Sequence, residues 1–225
     1  MITISPTFSS AYPGACAGFL AMRNVVNPEH DDALDRRKEA LEADLRARFT
    51  GKTRTDLAAL STIQAYTAYY KRFNKTYHVL LQLESVAFKG RSIPRVAALV
   101  EAMFMAELKN QLLTAGHDLD VVQTPVTVDV ATGSEQYTML NGKEQTLTAG
   151  DMFMADGQGV ISAVLHGPDQ RTAIRPTTTR VLFAVYAPAG IGAAAVQRHL
   201  EEMRDNVLLI APQAQVEILR AYAGE

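Results

Sequence analysis

The first part of the chain has the hydrophobic spacing of helices. Between Asp31 and Phe49 charged residues are dense and apolar residues recur at helical spacing, which predicts an exposed amphipathic helix. Acidic residues near its start suit the positive end of a helix, and Thr50-Gly51 is expected to end it. A second helix is expected to begin near Asp56.

Two more apolar segments follow before the pattern changes. Residues 78–88 predict a buried helix that Gly90 ends. The next helix is expected to have Pro94 in its first turn and to run to about Leu113. It is apolar nearly all round, which predicts a central position in the core.

After Gly116 the hydrophobic period changes from 3.6 residues to two, as in strands. The predicted strands cover residues 121–130, 135–140, 144–147, 151–167 as a hairpin, and 181–186. Two short strands are expected around the turn at residues 11–14, the second over residues 17–26, and helices at residues 191–207 and at the end of the chain.

This order of elements predicts an α+β fold, a sandwich of mixed or antiparallel sheet with packed helices and a helical N-terminal part. A single domain is expected over residues 1–225. Its parts are the N-terminal strands and helices at 1–68, a core at 69–190 and C-terminal helices at 191–225.

The hairpin at residues 151–167 gathers small and polar side chains where a core needs bulk. Its turn, Asp156-Gly157-Gln158-Gly159, has two glycines free to take positive φ, so a ligand can approach backbone N–H groups there. An ordinary hairpin is the plain alternative. The candidate substrate-binding residues of this segment are Asp156, Gly157, Gly159, Ser162 and Gly167, and His166 is a candidate catalytic residue.

Composition excludes several classes of protein. The 225 residues are 48% hydrophobic and 20% charged, as in globular domains. No apolar run reaches the roughly 18 residues of a membrane helix, the start lacks the pattern of a secretory signal, and Cys16 has no partner for a disulfide. We therefore expect a cytoplasmic protein without a membrane partner.

Metal and cofactor motifs are absent from the sequence. The five histidines lack ligand spacing, and there is neither a CxxC nor an HExxH motif. A phosphate-binding glycine loop and a Gly-x-Ser-x-Gly elbow are also missing. We expect no metal and no cofactor, and a serine or cysteine hydrolase is unsupported.

The net charge of −2 hides an uneven distribution. Between Tyr69 and Arg95 the acidic residue is Glu84 alone, whereas residues 117–170 carry eight acids and one base, Lys143. A basic patch on an otherwise acidic protein suits a polyanion held in one orientation, although a solvated helix face is the alternative. The candidate RNA-binding residues are Lys71, Arg72, Lys75, His78, Arg91 and Arg95.

Three further features are candidates for chemistry. Four aromatic residues lie among the bases of residues 69–78, which fits base stacking beside phosphate contacts. Glu101 lies among apolar residues of the long helix, where it is either a functional carboxylate or one paired with a buried arginine. His117 and Asp118 follow Gly116 and are expected either at a pocket mouth or in a plain capping turn.

The order of short motifs from Tyr69 to Pro188 resembles the B3/B4 domain of the bacterial phenylalanyl-tRNA synthetase β chain. Its pieces here are Arg91-Ser92-Ile93, Val100-Glu101, Asp118-Leu119-Asp120, Leu140-Asn141-Gly142, Leu147, Asp151, Ala155-Asp156, Thr177-Thr178-Thr179 and Arg180-Val181-Leu182-Phe183. The chain looks most like free-standing relatives of that domain. There are departures: Phe104 stands where the family often has Asn, Gly167 where it has Gly-Gly, and a histidine before the long helix is absent, with Arg95 nearby.

The resemblance implies a pocket between two halves of a sheet-rich sandwich and hydrolysis of mischarged aminoacyl-tRNA. The basic segment would bind the acceptor end of the tRNA, and water positioned by backbone groups, Glu101 or His166 would attack the ester. Two alternatives stay open: a non-enzymatic module that binds an amino-acid-like ligand or RNA, and a basic segment that serves only as a dimer contact.

Overall fold

A computed structural model describes residues 2–223, which form an α+β fold. The helices are α1 (Pro6–Ala11), α2 (Asp32–Arg48), α3 (Arg54–Ala58), α4 (Ser61–Lys71), α5 (His78–Ala87), α6 (Ala98–Asn110) and α7 (Ala193–Ile210). The strands are β1 (Ile2–Ile4), β2 (Cys16–Arg23), β3 (Thr114–Asp118), β4 (Val126–Val130), β5 (Gln136–Thr138), β6 (Glu144–Thr146), β7 (Met152–Asp156), β8 (Gly159–Ala163), β9 (Gly167–Pro168), β10 (Arg180–Ala187) and β11 (Gln215–Ala223).

The strands form two main sheets. One is antiparallel, in the order β11-β2-β10-β3, and its central strands β2 and β10 are buried along almost their whole length. The other has the order β1-β4-β7-β8-β9 and is antiparallel except for the parallel pair β1 and β4. A small third sheet pairs β5 with β6.

Helices α6 and α7 pack on each other, and α7 covers β2 and β11. Asn206 of α7 donates from Nδ2 to the carbonyl of Ala102 at 3.0 Å, which gives the buried amide nitrogen a partner at the helix interface. Helix α6 ends at Gln111, which takes a left-handed conformation with φ 55° and caps the helix by donating to the carbonyls of Leu108 and Lys109.

Several predicted elements are confirmed. The amphipathic helix is α2, and the side chain of Asp31 caps it by accepting from the backbone N–H of Leu34 at 2.8 Å. The helices at 78–88 and 191–207, the hairpin at 151–167 and the buried strand at 181–186 are also present, as α5, α7, β7–β8 and β10. No helix within residues 2–223 has both the length and the apolar character needed to cross a membrane.

Other predictions were wrong at the ends of the chain. The first predicted strand is three residues long and is followed by α1, because Ser5 and Pro6 supply an N-cap and a first-turn proline. The final segment is the strand β11 rather than a helix, since it completes the antiparallel sheet beside β2.

Two predictions for the central region of the chain were also wrong. Helix α6 begins at Ala98 rather than at Pro94, because an extended segment precedes it and the backbone N–H of Val96 is bound by Glu101. The strand predicted at 121–130 is shorter than expected, because only residues 126–130 form β4. A separate strand, β3, lies before that range and pairs with β10. The antiparallel pairing with β10 determines which residues form β3.

Candidate functional site

A cavity of about 490 Å³ lies between α6 and the loop that joins β8 to β9. Helix α6 contributes Met103, Phe104 and Glu107 to its lining, and the loop contributes residues 163–168. The start of β3 and Tyr186 of β10 complete the walls. This volume is within the range of roughly 300–1,000 Å³ typical of small-ligand sites. Because most lining groups are apolar, the few polar ones decide how a ligand is oriented.

Buried side chains hold the loop wall in place. The hydroxyl of Tyr70 donates to the carbonyl of Val164 at 2.8 Å. The carboxylate of Asp151 accepts from the backbone N–H of Leu165 at 3.1 Å and from the hydroxyl of Tyr69 at 2.5 Å. These bonds lie in a low-dielectric interior, where hydrogen bonds are stronger than in water. Helix α4, which carries both tyrosines, therefore sets the position of the loop.

Glu107 is the acidic residue in the cavity wall. Its Oε2 accepts from the backbone N–H of Thr114 at 3.0 Å, and the side chain is almost fully buried. Burial raises the pKa of Glu107 to about 8. At neutral pH the group is therefore mainly a neutral acid, which can both donate and accept a hydrogen bond inside the cavity.

Tyr186 carries a second polar group to the cavity. Its hydroxyl is 2.5 Å from Oγ of Ser162, and its backbone carbonyl accepts from the hydroxyl of Tyr66 at 2.6 Å. Burial raises the pKa of Tyr186, so its hydroxyl stays protonated. Ser162, a predicted binding residue, thus supports the wall from behind rather than lining the cavity.

His166 and Gly167 lie in the cavity wall, as two of the predicted site residues. Nε2 of His166 is buried and has no hydrogen-bond partner among residues 2–223. Burial lowers the pKa of His166, and the positive charge of Lys75 lowers it further, so the imidazole is neutral at pH 7. Gly167 has φ +83°, and its carbonyl accepts from the hydroxyl of Tyr137 at 2.9 Å, which fixes the backbone beside the imidazole.

Two exposed cations, Lys75 and Arg91, lie near the cavity. His78, at the start of α5, is exposed and lines the cavity. Lys75 is exposed and close enough to His166 to act on its pKa. Arg91 lines an adjoining groove that also contains His78. Of the predicted RNA-binding residues, His78 therefore lines the cavity, Arg91 lines the adjoining groove, and Lys75 lies near His166.

The other predicted RNA-binding residues lie further away. Arg72 is stacked over the ring of Tyr12, 5.0 Å from its centroid, and Lys71 is exposed at the end of α4. Arg95 donates to Asp35 at 2.9 Å. The idea that aromatics of residues 69–78 offer stacking surfaces is wrong for the three buried ones, because their rings belong to the core; these are Tyr69, Tyr70 and Tyr77.

Glu101, the other candidate catalytic residue, is not at the cavity. Its carboxylate is paired with the buried ammonium of Lys38 and accepts from the backbone N–H of Val96 at 2.8 Å. The partner predicted for it was an arginine, and the structure supplies a lysine of α2. The pair joins α2 to α6 and leaves the carboxylate without access to a ligand in the cavity.

His117 and Asp118 also lie outside the cavity. Nδ1 of His117 is 2.7 Å from Oγ1 of Thr172, and its ring is fully buried. Asp118 accepts from the hydroxyl of Thr178 at 2.7 Å and from the backbone N–H of Asp120 at 3.0 Å. Both side chains brace the segment between β9 and β10, whereas their neighbour Gly116 lines the cavity.

The hairpin turn lies at the far end of its strands from His166. Each strand of the pair is five residues long, roughly 17 Å, so the turn and the cavity cannot meet. Asp156 accepts two bonds from Arg171, at 3.0 and 2.8 Å, and further bonds from backbone N–H groups. Gly157 packs on Gln123, and Gly159 lines a separate open groove.

Sequence reasoning missed most residues of the cavity wall, among them Glu107, Thr114, Gly116 and Tyr186. A signal existed for Glu107, which lies on the same apolar helix as Glu101 and is equally conspicuous there. Tyr186 looks like any other residue of a buried strand. Nothing in the sequence distinguishes its hydroxyl from that of a core tyrosine.

Comparison with known proteins identifies the family of this chain. The model of the B3/4 domain family matches residues 63–214. The phenylalanine–tRNA ligase beta subunit of Mycoplasma genitalium is 32% identical over 69 residues, covering 31% of this chain and 9% of that protein. The same subunit of Geobacter sulfurreducens is 33% identical over 92 residues, covering 37% of this chain and 12% of that protein. The matched regions are thus about a tenth of the length of these relatives.

Among solved structures, an N-terminal fragment of the phenylalanyl-tRNA synthetase beta-subunit from Pyrococcus horikoshii is similar, with a TM-score of 0.49 and 10% sequence identity. That similarity covers 96% of this chain and 50% of the fragment. The resemblance in the order of sequence motifs is confirmed by the family model. Because that model matches more than half of the residues, the chain belongs to the B3/4 domain family.

Proposed function

We propose that this domain binds the aminoacylated 3′ end of a tRNA and hydrolyses the ester that joins the amino acid to the ribose. The observation that carries the proposal is His166, a neutral imidazole in the cavity wall whose buried Nε2 has no partner within residues 2–223. Membership of the B3/4 family and the similarity to phenylalanine–tRNA ligase beta subunits support a tRNA-related role.

The amino-acid side chain occupies the apolar cavity in this proposal. Met103 and Phe104 contact its apolar part, and Glu107 meets any polar group that it carries. The ester then lies near the entrance, where His166 is placed and where Lys75 attracts the phosphates of the tRNA. The cavity thus holds the acyl group while the nearby cations hold the nucleic acid.

His166 acts as the general base. The oxygen of a water molecule attacks the ester carbonyl carbon while its proton passes to the imidazole. The bond between that carbon and the ribose oxygen breaks, and the imidazole returns the proton to the ribose oxygen. The products are a free amino acid and an uncharged tRNA. General-base assistance of this kind contributes about 10²–10⁴-fold.

A non-enzymatic role is the second candidate, and one observation favours it. Among residues 2–223 no carboxylate hydrogen-bonds to His166, so nothing of that kind orients the imidazole. In this case the cavity binds an amino-acid-like ligand without hydrolysis. This non-enzymatic role predicts that a free amino acid raises the melting temperature of the protein and that no charged tRNA is hydrolysed.

Hydrolysis of a panel of mischarged tRNAs by the 225-residue chain tests the proposal. We expect His166→Ala to lower the rate by about 10²-fold or more, whereas the matched control His30→Ala, on an exposed histidine paired with acids of α2, leaves it unchanged. Gly116→Val should also abolish hydrolysis, because a side chain there enters the cavity beside Ile174 and Met103. Rates no higher than in buffer for every tRNA would refute the enzymatic role.

A further inference from the structure

A separate pocket lies at the C-terminal end of α6, where residues of α2, α4 and α7 complete its walls. Its volume is about 220 Å³, and it shares no lining residue with the cavity. Three of its lining side chains are cationic, namely Arg48, Lys109 and Arg198, and none is acidic. We call it the basic pocket.

Two of the three cations have no ion-pair partner. Lys109 pairs with Glu202 at 2.8 Å, whereas Arg48 and Arg198 pair with no acid within residues 2–223. The guanidinium of Arg48 lies over the ring of Phe49, 5.1 Å from its centroid, a contact that does not neutralise its charge. The basic pocket therefore attracts an anion.

The backbone at the end of α6 supplies two further donors. Gln111 takes a left-handed conformation, with φ 55° and ψ 35°, directly after the helical residue Asn110. A helical residue followed by a left-handed one turns successive backbone N–H groups towards the same side, an arrangement that binds anions and is called a nest.

These donors are not used elsewhere in the fold. The backbone N–H groups of Gln111 and Leu112 have no acceptor within the described part of the chain, although both residues are buried and both line the basic pocket. Because buried backbone N–H groups are almost always paired, two such donors in one pocket wall indicate that an anion accepts from them.

The nest is held rigid by the core. The carbonyl of Gln111 accepts from the hydroxyl of Tyr77 at 3.0 Å. The backbone N–H of Leu113 donates to the hydroxyl of Tyr66 at 3.0 Å. Both tyrosines are fully buried, so the donors are positioned before a ligand arrives, which lowers the entropic cost of binding.

Compensation of helix dipoles does not explain all of this charge. Arg48 and Lys109 lie in the last turns of α2 and α6, where cations are favoured without any ligand. Arg198 lies instead near the beginning of α7, whose first turn contains no acidic residue and no side-chain cap. Ala195 of that turn lines the basic pocket, so the positive end of α7 adds to its attraction for an anion.

We propose that the basic pocket binds the terminal phosphate group of a small phosphorylated molecule. The backbone N–H groups of Gln111 and Leu112 donate to the phosphate oxygens, and Arg48 and Arg198 neutralise the charge. A phosphate monoester carries a charge of about −1.5 to −2 and three acceptor oxygens, which matches several cations beside two N–H donors. A phosphodiester carries a single charge and fits them less well. This site is independent of the proposed hydrolysis, so either can fail without the other.

An NMR titration of the 225-residue chain with inorganic phosphate, at constant ionic strength, tests the site. We expect saturable shifts of the backbone N–H signals of Gln111 and Leu112. Dimethyl phosphate, a diester, should bind about tenfold more weakly or worse, and chloride should give no saturable shift. If phosphate gives no saturable shift at these two signals, the inference is overturned. If the diester binds as tightly as phosphate, the assignment to a terminal phosphate is overturned.

Charge reversal supplies a second test. Arg48→Glu and Arg198→Glu should each lower the affinity for phosphate by about tenfold or more, and since both side chains are exposed the melting temperature should change little. The matched control Arg36→Glu changes another exposed arginine of α2, roughly 18 Å along the helix from Arg48, and should bind phosphate normally. Equal affinities in Arg48→Glu, Arg198→Glu and the wild type would overturn the inference.

Discussion

The hydroxyl of Tyr69 donates to Oδ1 of Asp151 at 2.5 Å and accepts from the backbone N–H of Met152 at 2.7 Å. The two side chains are 82 residues apart in the chain, and this bond joins α4 to the beginning of the hairpin. Burial raises the pKa of Asp151 to about 6, although the bonds from Tyr69 and from backbone N–H groups lower it. The same carboxylate holds the loop that carries His166.

Tyr69→Phe should destabilise the protein by about 2–3 kcal/mol, because it leaves a buried carboxylate and a buried N–H group without their shared partner. Urea unfolding at pH 7.5 measures the free energy of unfolding. The matched control is Tyr222→Phe, on a half-buried tyrosine of β11 for which no hydroxyl bond is found among the described residues. A cost for Tyr69→Phe no larger than that of the control would contradict the anchoring role.

Glu107→Gln should change how stability depends on pH. The folded-state pKa of Glu107, about 8, is above the unfolded value, so the folded protein holds a proton that the unfolded chain releases. This contribution is complete below the unfolded pKa and is lost as pH rises through 8. The glutamine keeps an oxygen for the N–H of Thr114 but does not titrate.

Between pH 5 and pH 8 the unfolding free energy of the wild type should therefore fall relative to that of Glu107→Gln, by at most about 1.4 kcal/mol per pH unit. Urea titrations at several pH values measure it. Burial lowers the pKa values of His117 and His199 to about 3, so these residues make stability rise with pH below 6.5. Both proteins contain them, so their effect cancels in the comparison. If the unfolding free energies of the two proteins change with pH in the same way, Glu107 is not a neutral acid in the folded protein.

Gly18→Ala should destabilise the protein by about 1–3 kcal/mol, the usual cost of overpacking a core. A Cβ at Gly18 would lie 2.3 Å from Cγ1 of Val196, where α7 packs on β2. Gly192→Ala is the matched control, since its Cβ would meet nothing within 4 Å. Thermal melts of both variants measure the effect, and equal melting temperatures would contradict this close approach of helix and sheet.

Lys75→Glu should weaken tRNA binding more than Lys71→Glu does, because Lys75 lies close to the entrance and acts on His166. Each lost phosphate contact should also reduce the slope of log affinity against log salt by about 0.7–0.9. Titrations at several salt concentrations measure both quantities. Lys143→Glu, in the turn between β5 and β6, is a matched control on the acidic part of the chain.

If charge reversal at Lys71, Arg72 and Lys75 leaves affinity and salt dependence unchanged, the basic segment does not bind RNA. The alternative of a dimer contact would then gain support, and sedimentation of the wild type and the reversed variants would test it. The result leaves the cavity chemistry untouched, because His166 and Glu107 are probed by hydrolysis and by stability.

Periodicity alone determined most of the helices and the hairpin of this protein. Helix faces and tight turns depend on residues that are close in the sequence, so the spacing of apolar residues is enough to predict them. Examples are the apolar face of α2, the apolar helix α6 and the turn after Asp156. The order of motifs likewise pointed to the B3/4 family before any contact was known. The terminal strand β11 escaped prediction, since its strand conformation depends on pairing with β2, about 200 residues earlier.

Only the tertiary structure decided which polar residues meet. Glu101 and Glu107 lie on one helix, yet the first is paired with Lys38 and the second faces the cavity, because six residues of a helix turn the side chains in different directions. Asp156 and His166 share one hairpin but lie at opposite ends of it. Sequence separation measures neither direction nor distance in space, so the site appeared only when α4, α6 and β10 were brought together around it.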